Sequence, residues 1–352
     1  MGRHSYQIVE WDKPLELKEQ LTPKPSGAEV LLKVDACGVC HSDLHIRSGY
    51  FEMGEGKRTY LAKMGAELPM TLGHEAVGEV VEIGPDASEI EIGDKRIAFP
   101  WIGCGRCQTC SNGDENQCNS PKFLGTRVNG GYSDYLLMPN AKYLFEYGNT
   151  PTDLAATFAC AGITAYGALK KCGPLRADDH LLIIGAGGVG LTALHIARAL
   201  TEAKLIVADV DEAKRNAAAT MGATATINSS EKDTVKQILE ASSGGVAAAI
   251  DFVGVPTTSR LGIDTLRKTG ILVIVGLYGG AMTIPVILFP FKQMTIRGSY
   301  VGTLSEMDEL MELVRDGKVP PIPLTPRPLH DANQVLDELS RGEIIGRVVL
   351  KP

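Results

Sequence analysis

A glycine-rich turn near the middle of the chain limits the possible folds more than any other feature of this sequence. The apolar residues 181–184 lead into Gly185-Ala-Gly-Gly-Val-Gly190, and residues 191–200 continue with helical spacing of apolar side chains. This is the pattern G-x-G-x-x-G between a strand and a helix. Glycine lets the backbone approach a pyrophosphate, and a helix N-terminus presents unpaired N–H groups to it. We therefore expect a dinucleotide-binding turn that comprises Gly185, Gly187, Gly188, Val189 and Gly190.

The next apolar run indicates which dinucleotide is bound. Residues 204–209 form a second predicted strand that ends in Asp209, 19 residues after Gly190. A carboxylate at this position accepts hydrogen bonds from both adenosine ribose hydroxyls and repels a 2'-phosphate. Asp211 and Glu212 add negative charge nearby, whereas Lys214 and Arg215 oppose it. On balance the pattern predicts NAD rather than NADP.

Two patterns of apolar residues divide the chain. From about residue 30 to 144 the apolar segments are short and separated by Gly, Pro and Asn, which indicates an irregular all-β region. From about residue 162 apolar runs alternate with helical stretches, which indicates a parallel sheet covered by helices. Residues 304–316 and 332–340 have helical patterns, and GRVVLK forms a final strand. Because 352 residues exceed one compact core, we expect an α/β chain of two domains.

Four closely spaced cysteines predict a metal site. The chain contains eight cysteines, and four of them follow the spacing C-x2-C-x2-C-x7-C: Cys104, Cys107, Cys110 and Cys118. Four thiolates at this spacing can surround one ion tetrahedrally. Such a complete shell leaves no open coordination position, so the predicted zinc is structural. An iron–sulfur cluster is the alternative, and four ordinary buried thiols are improbable in so polar a loop.

Three separate fragments suggest a second metal site. They are Cys37-Gly-Val-Cys40-His-Ser-Asp-Leu-His45, then Gly73-His74-Glu75, and finally Cys160-Ala-Gly-Ile-Thr164. Each fragment alone is weak evidence, since a single His or Cys is more often packed than bound to metal. Together they offer two thiolates and one imidazole, a set that suits a catalytic zinc with one position free.

These motifs, in this order, resemble those of the zinc-dependent alcohol dehydrogenases of the medium-chain dehydrogenase/reductase superfamily. The similarity rests on GVCHSDLH, LGHEAVGEVVEIG, the four-cysteine segment, CAGITAYGAL and GAGGVG, and it extends to GRVVL at the end. It implies an irregular, mostly-β, GroES-like catalytic domain made of residues 1–161 and 299–352, and a Rossmann NAD-binding domain of residues 162–298. It also implies two zinc ions per chain.

The resemblance assigns roles to individual residues. Cys40, His74 and Cys160 would hold the catalytic zinc, with Glu75 as a transient ligand or just behind it. Ser42 would contact the substrate oxygen, His45 would pass the proton from the cofactor ribose to solvent, and Asp43 would orient His74. The expected cofactor contacts are His41, Thr164, Lys214, Val253, Val275 and Arg347. Cys37 and Cys172 match no ligand position, and we expect His4, His180, His195 and His330 to be structural or exposed.

Elementary acid–base chemistry supports a metal in this role. An alcohol has a pKa near that of water, roughly 16, so a histidine with a pKa near 6.5 faces a deficit of about 12 kcal/mol. A zinc ion can remove most of that deficit, and it can polarise a carbonyl in the reverse reaction.

Three further features bear on the substrate. The resemblance places Trp101 in the substrate pocket, although a core tryptophan between the two lobes is nearly as plausible. Ser42 stands where many relatives carry threonine, which leaves room for bulkier primary or secondary alcohols. Relative to compact members of the family that the chain resembles, residues 52–68 form an insertion. We interpret it as a surface loop with a short helix, placed to cap the pocket or to meet a second subunit.

Composition excludes other partners. The net charge of −7 offers no basic stripe for nucleic acid, and no apolar run reaches the length of a membrane span. Without a signal-like apolar start, we expect a cytoplasmic protein. The small-molecule partner would be an alcohol, aldehyde or ketone. Family resemblance implies a homodimer or homotetramer, with the apolar stretch 271–288 as the predicted strand-edge interface.

Three alternatives remain at this point. A polyol or sugar dehydrogenase, or a relative that acts on formaldehyde, would use the same scaffold. A non-catalytic NAD-binding protein would have lost the catalytic zinc, but all three predicted ligands are present. A zinc-stabilised regulatory module would need neither the open metal position nor the GAGGVG turn.

Overall fold

A computed structural model describes residues 2–352. The first lobe is built largely from short strands, as the sequence predicts: β1 (Gly2–Ile8), β2 (Glu16–Leu21), β3 (Val30–Gly38), β4 (Tyr50–Gly54), β5 (Lys57–Tyr60), β6 (Met70–Thr71), β7 (Ala76–Ile83), β8 (Lys95–Ala98), β9 (Tyr135–Met138) and β10 (Leu144–Phe145). The short helices α1 (His41–Ser48) and α2 (Gln108–Ser111) interrupt them. The description of this region as all-β was therefore wrong at α1, where Cys40 is the N-cap residue and Gly49 ends the helix in a left-handed conformation.

A continuous helical segment joins the two lobes. It comprises α3 (Thr152–Thr157), a single π-helical turn (Phe158–Gly162) and α4 (Ile163–Lys171). Such π turns are rare and occur mainly at functional sites. Here the turn carries the completely shielded Ala159 and Ala161 on either side of Cys160, so that cysteine is held in the core.

The second lobe is a parallel sheet with helices between its strands, as the sequence predicts. Its elements are β11 (His180–Ile184), α5 (Gly188–Leu200), β12 (Lys204–Asp209), α6 (Glu212–Thr220), β13 (Ala225–Asn228), α7 (Thr234–Ala241), β14 (Val246–Asp251), α8 (Pro256–Thr265), β15 (Leu266–Ile274), α9 (Leu288–Lys292) and β16 (Thr295–Gly298). The strand order is β13-β12-β11-β14-β15-β16. Strands β11 and β14 are buried along their whole length because helices cover both faces of the sheet.

The end of the chain returns to the first lobe. Helix α10 (Leu304–Arg315), strand β17 (Leu324–Pro328), helix α11 (Ala332–Ser340) and strand β18 (Arg347–Lys351) follow the parallel sheet. Strand β18 pairs with β3 and β17, and so completes the sheet β10-β8-β7-β3-β18-β17. The predicted terminal helices and final strand are confirmed to within about one residue.

Two expectations about surface segments were wrong. Residues 52–68 do not form a loop with a helix alone: β4 and β5 pair as a hairpin, and a 3-10 turn (Leu61–Met64) follows it. The stretch 271–288 does not provide a sheet edge, because β15 is paired on both sides and β16 is the edge strand. No helix in residues 2–352 combines the length and apolar character required to cross a lipid bilayer.

Candidate active site and metal centres

The four-cysteine loop has the geometry of a tetrahedral zinc site. Its sulfur atoms are separated by 3.5 Å (Cys107–Cys110), 3.8 Å (Cys107–Cys118) and 4.0 Å (Cys104–Cys110). A tetrahedron with Zn–S bonds of about 2.3 Å has edges of about 3.8 Å. Backbone N–H groups of Arg106 and Cys107 lower the pKa of Cys104 to about 6, which favours the thiolate that a metal requires. The four residues therefore fit one zinc ion.

A buried glutamate anchors this loop to the first lobe. The Glu115 carboxylate accepts hydrogen bonds from Gly103 N–H (2.9 Å), the Tyr143 hydroxyl (2.6 Å) and Lys142 Nζ (2.7 Å). A side chain at Gly103 would lie 2.5 Å from the sulfur of Cys110, so only glycine fits there. The position of the loop is thus set by contacts that its cysteine spacing does not reveal.

The second predicted metal set comes together in the core. One ligand atom from each of Cys40, His74, Glu75 and Cys160 lies within 4.8 Å of all the others, and all four residues are buried. Cys40 precedes α1, His74 and Glu75 precede β7, and Cys160 lies on the π turn. Three segments far apart in sequence therefore converge on one point.

The donor set fits a zinc ion with a free position. The sulfur atoms of Cys40 and Cys160 are 3.9 Å apart, close to the tetrahedral edge for zinc. Nε2 of His74 is buried and has no hydrogen-bond partner within residues 2–352, while Nδ1 lies 3.0 Å from Oδ1 of Asp43. A hydrogen bond from Cys160 lowers the pKa of Cys40 well below its ordinary value. A buried imidazole nitrogen without a partner costs free energy unless a metal or ligand occupies it.

Asp43 organises the ligands from behind. It is completely buried, and its second oxygen accepts the Cys40 N–H (2.9 Å) and the Tyr132 hydroxyl (3.0 Å). Tyr132 also packs against the segment that leads to His74, since a Cβ at Gly73 would lie 2.3 Å from its ring. Sequence reasoning assigned Asp43 to His74 but missed Tyr132, because nothing in the local pattern around Tyr132 points to a site 89 residues away.

Glu75 connects the metal set to the glycine-rich turn. Its carboxylate pairs with the guanidinium of Arg347, and both side chains are buried. The stem of Arg347 lies so close to Gly188 that a Cβ there would be 2.2 Å from it. The structure therefore places Arg347 between the Cys40 cluster and the start of α5.

One large cavity opens onto this cluster. It has a volume of about 700 Å³ and is lined from both lobes. Of the predicted site residues, it is lined by Cys40, His41, Ser42, His45, Trp101, Cys118, Cys160, Thr164, Val189 and Val275. Trp101 is mostly buried, packs 5.5 Å from the His74 ring and donates a hydrogen bond to Ala159 O, so it is a core residue and a cavity wall together.

On the cofactor side of the cavity, Phe252 belongs to the lining and Val253 packs against Gly185. The contact of Val253 with the nicotinamide stays a prediction. Sequence reasoning also missed the aromatic wall formed by Phe123 and Tyr300, and it missed Tyr278, whose ring is 4.5 Å from His41. These residues lie in segments without a recognisable motif.

The two histidines after Cys40 remain neutral at neutral pH. Burial, together with the neighbouring His41, lowers the pKa of His45 to about 4. Burial also lowers the pKa of His41. A neutral imidazole that lines the cavity can accept a proton and release it to water.

The glycine-rich turn forms a cradle for a dinucleotide. Gly185 has a φ of +94°, and a side chain at Gly190 would lie 1.8 Å from Gly185 O. Asp209 ends β12 and accepts the Ala186 N–H at 2.6 Å, which places its carboxylate beside the turn. Lys214 follows in the first turn of α6, where its N–H donates to Asp211. This arrangement fits a dinucleotide whose ribose reaches Asp209.

The remaining cysteines and histidines lie elsewhere. Cys37 and Cys172 are buried and belong to neither metal set. Nδ1 of His195 lies 3.0 Å from Pro320 O, and His4 is exposed beside Asp134. His180 is buried at the start of β11, and His330 is exposed.

Comparison with known proteins places these features in a family. Residues 26–147 match the family model described as the alcohol dehydrogenase GroES-like domain, and residues 188–316 match the model described as zinc-binding dehydrogenase. An NAD-dependent alcohol dehydrogenase of Sulfurisphaera tokodaii is 37% identical over 98% of this chain and 99% of its own length. Its counterpart in Saccharolobus solfataricus is 38% identical with the same coverage.

Solved structures agree with the sequence comparison. The crystal structure of the alcohol dehydrogenase from Aeropyrum pernix superposes with a TM-score of 0.90 at 32% identity, and covers 99% of this chain and 100% of that one. An acetophenone reductase from Geotrichum candidum, solved in complex with NAD, superposes with a TM-score of 0.86 at 29% identity, with 100% and 97% coverage.

Proposed function

The chain belongs to the zinc-dependent alcohol dehydrogenases of the medium-chain superfamily, and from that premise we propose that Cys40, His74 and Cys160 form its catalytic centre. It is an NAD-dependent oxidoreductase that interconverts an alcohol and an aldehyde or ketone. The observation that carries the proposal is the convergence of the three ligand atoms within 4.8 Å at a cavity that both lobes line. The four-cysteine loop would hold the second, structural zinc.

The metal and the protein divide the chemistry. A bound zinc ion supplies a Lewis acid that lowers the pKa of an alcohol hydroxyl or polarises a carbonyl. Asp43 holds the His74 ring so that Nε2 faces the cluster. Ser42 lines the cavity next to Cys40, where its hydroxyl can accept a hydrogen bond from the alcohol and pass its own proton onward as it takes up that of the alcohol. His45, neutral at physiological pH, would carry that proton towards solvent.

The cofactor would bind across the cleft between the lobes. The Gly185–Gly190 turn and the start of α5 would hold the pyrophosphate, with His41 and Arg347 as neighbouring contacts, and Lys214 would contact the ribose. Asp209 would accept the adenosine ribose hydroxyls and so favour NAD. Thr164 and Val275 line the cavity between this turn and Cys160. Together with Val253, which packs beside Gly185, they would contact the nicotinamide.

The cavity wall favours apolar alcohols over polyols. Trp101, Phe123 and Tyr300 face one another with ring centroids 5.4–6.3 Å apart. Such a wall offers few hydrogen-bond partners for a chain of hydroxyl groups, and a buried hydroxyl without a partner costs free energy. We therefore rank primary or secondary alcohols with an apolar body above sugars.

The direct test combines activity with metal analysis. The wild-type chain should form NADH from NAD and an apolar alcohol, and should bind two zinc ions. Cys160→Ser and His74→Ala should abolish that activity and retain about one zinc ion in the four-cysteine loop. NADH formation that survives either substitution would refute the assignment of the catalytic centre.

Domain boundaries and assembly are further parts of the proposal. We propose boundaries at residues 161/162 and 298/299, because the mixed sheet takes its strands from both ends of the chain and the parallel sheet takes all of its strands from residues 180–298. We also propose a homodimer in which β16 continues the sheet into a second copy. Val286 and Phe291, in the segment that leads into β16, are 80% and 67% exposed, which is typical of an interface. If this interface forms, light scattering should show a dimer for the wild-type chain and a monomer for Phe291→Glu.

The eight unpaired cysteines support the proposed cytoplasmic location.

A further inference from the structure

The charged side chains around the cavity are unbalanced. Two permanently cationic residues line it, Arg127 and Lys63, and no aspartate or glutamate within residues 2–352 does so. The other cations of the insertion are neutralised within its hairpin, since Lys57 pairs with Glu55 and Arg58 pairs with Glu52. Lys63 makes no such pair in the part of the chain that the structure describes. Outside the proposed metal ligands, the cavity therefore carries positive charge that no carboxylate along its lining in residues 2–352 balances.

Arg127 is the better placed of the two cations. It is half-buried, and none of the ion pairs in residues 2–352 includes it. Its guanidinium makes one hydrogen bond, a long one of 3.4 Å to Leu61 O. Burial lowers the pKa of Arg127, which reflects the cost of holding this charge partly away from water. An anion supplied from outside would offset that cost.

An aromatic wall connects Arg127 to the proposed catalytic centre. The His74 ring lies 5.5 Å from Trp101, and Trp101 lies 5.7 Å from Tyr300. Tyr300 and Arg127 line the same cavity and interact electrostatically. The wall is aromatic along its length and has a cation near one end. The pyrophosphate of NAD does not explain this charge, because the one hydrogen bond of the Arg127 guanidinium goes to Leu61 O, in the insertion and away from the Gly185–Gly190 turn.

We propose that Arg127 binds an anionic group at the far end of the substrate. The preferred substrate is then an alcohol, or the corresponding aldehyde, whose reacting carbon is separated from a carboxylate by an apolar spacer. The planar guanidinium can bind a carboxylate through two parallel hydrogen bonds, and Lys63 adds a second positive charge to the lining of the same cavity. This inference rests on the proposed function, since it concerns the substrate of that same centre.

A matched pair of substrates tests the inference. We compare kcat/KM for ω-hydroxyhexanoate and for its neutral isostere, ω-hydroxyhexanamide, with NAD as the cofactor. The two compounds have the same spacer and reacting carbon, so their ratio isolates the terminal charge. For wild type we expect the acid to be favoured by about tenfold, the discrimination of one partly exposed charge-assisted hydrogen bond. The ratio should fall towards one as KCl is raised, because salt screens the attraction.

Three variants assign the effect to Arg127. Arg127→Gln should bring the ratio close to one, and Arg127→Lys should retain most of it because the charge remains. Lys122→Gln is the control, since this exposed lysine of the same segment does not line the cavity and should leave the ratio unchanged. Any general effect of Arg127→Gln on the Leu61 segment alters both substrates alike and cancels from the ratio.

The outcomes separate this inference from the proposed function. Oxidation of the amide with a wild-type ratio near one would overturn the inference and leave the alcohol dehydrogenase activity intact. A high ratio that persists in Arg127→Gln would also overturn it. Oxidation of neither compound, nor of any apolar alcohol, would overturn the proposed function itself and this inference with it.

Discussion

The hydroxyl of Tyr132 offers a sharp test of how the proposed catalytic centre is held. This hydroxyl donates to Oδ2 of Asp43 at 3.0 Å, and the Cys40 N–H donates to the same oxygen at 2.9 Å. Tyr132 and Asp43 are both 0% exposed, so water cannot replace a lost donor. Tyr132→Phe removes one of the three hydrogen bonds to the carboxylate and leaves the ring that packs on Gly73.

The expected magnitude follows from that count. A hydrogen bond to a buried charged group contributes about 1.5–3 kcal/mol. In Tyr132→Phe, Asp43 keeps its hydrogen bonds to His74 and Cys40. Only part of the lost free energy should therefore appear as weaker zinc binding. Replacement of a residue that orients a metal ligand typically costs about 10- to 100-fold in metal affinity. We expect Asp43→Asn to fall within this range and Tyr132→Phe, one step further away, to lie near its lower end.

Competition with a zinc chelator measures the effect. Each variant is titrated at constant pH while both zinc ions are counted, and the four-cysteine loop serves as an internal reference. Tyr143→Phe is the matched control, because its hydroxyl donates to Glu115 beside the four-cysteine loop at 2.6 Å. Tyr132→Phe should weaken only the Cys40 site, and Tyr143→Phe only the loop. Equal loss at both sites in Tyr132→Phe, or no loss at either, would refute the reasoning.

Three further predictions concern the structural zinc, the cofactor and the proton pathway. Cys110→Ser should lose the loop zinc and lower the thermal midpoint measured by calorimetry. Because Asn116 and Cys118 line the cavity, the substitution should also raise KM for the alcohol. An unchanged KM would show that the loop does not shape the pocket. Asp209→Asn should lower the ratio of kcat/KM with NAD to that with NADP by about tenfold or more, since a repulsive charge is removed while the hydrogen bond from Ala186 can remain; a constant ratio would assign the discrimination elsewhere. The folded-state pKa of His45, about 4, lies below its ordinary 6.5, so its contribution to stability is present above pH 6.5 and is lost as the pH falls towards 4. Thermal midpoints across this range should therefore decline less in His45→Gln than in wild type, and an identical decline would contradict the burial of a neutral imidazole.

Local patterns were enough to predict the elements whose chemistry is contained in a few consecutive residues. The spacing of Cys104 to Cys118 predicts a metal loop because four thiolates this close can reach one ion with little help from the rest of the chain. The Gly185–Gly190 turn with Asp209 predicts a dinucleotide fold because adjacent parallel strands bring their carboxyl ends together. The helices α10 and α11 follow in the same way from their apolar spacing.

Only the tertiary structure decided which side chains from distant segments come together around these local motifs. The distance between Cys40 and Cys160, the support of Asp43 by Tyr132, and the placement of Phe252 at the cavity depend on side chains brought together from distant segments. The same holds for Arg127: that it pairs with no carboxylate in residues 2–352 is a property of the packed cavity and not of its neighbours in sequence. Periodicity and spacing report short-range geometry, whereas burial, charge balance and convergence arise only when the whole chain has excluded water from its interior.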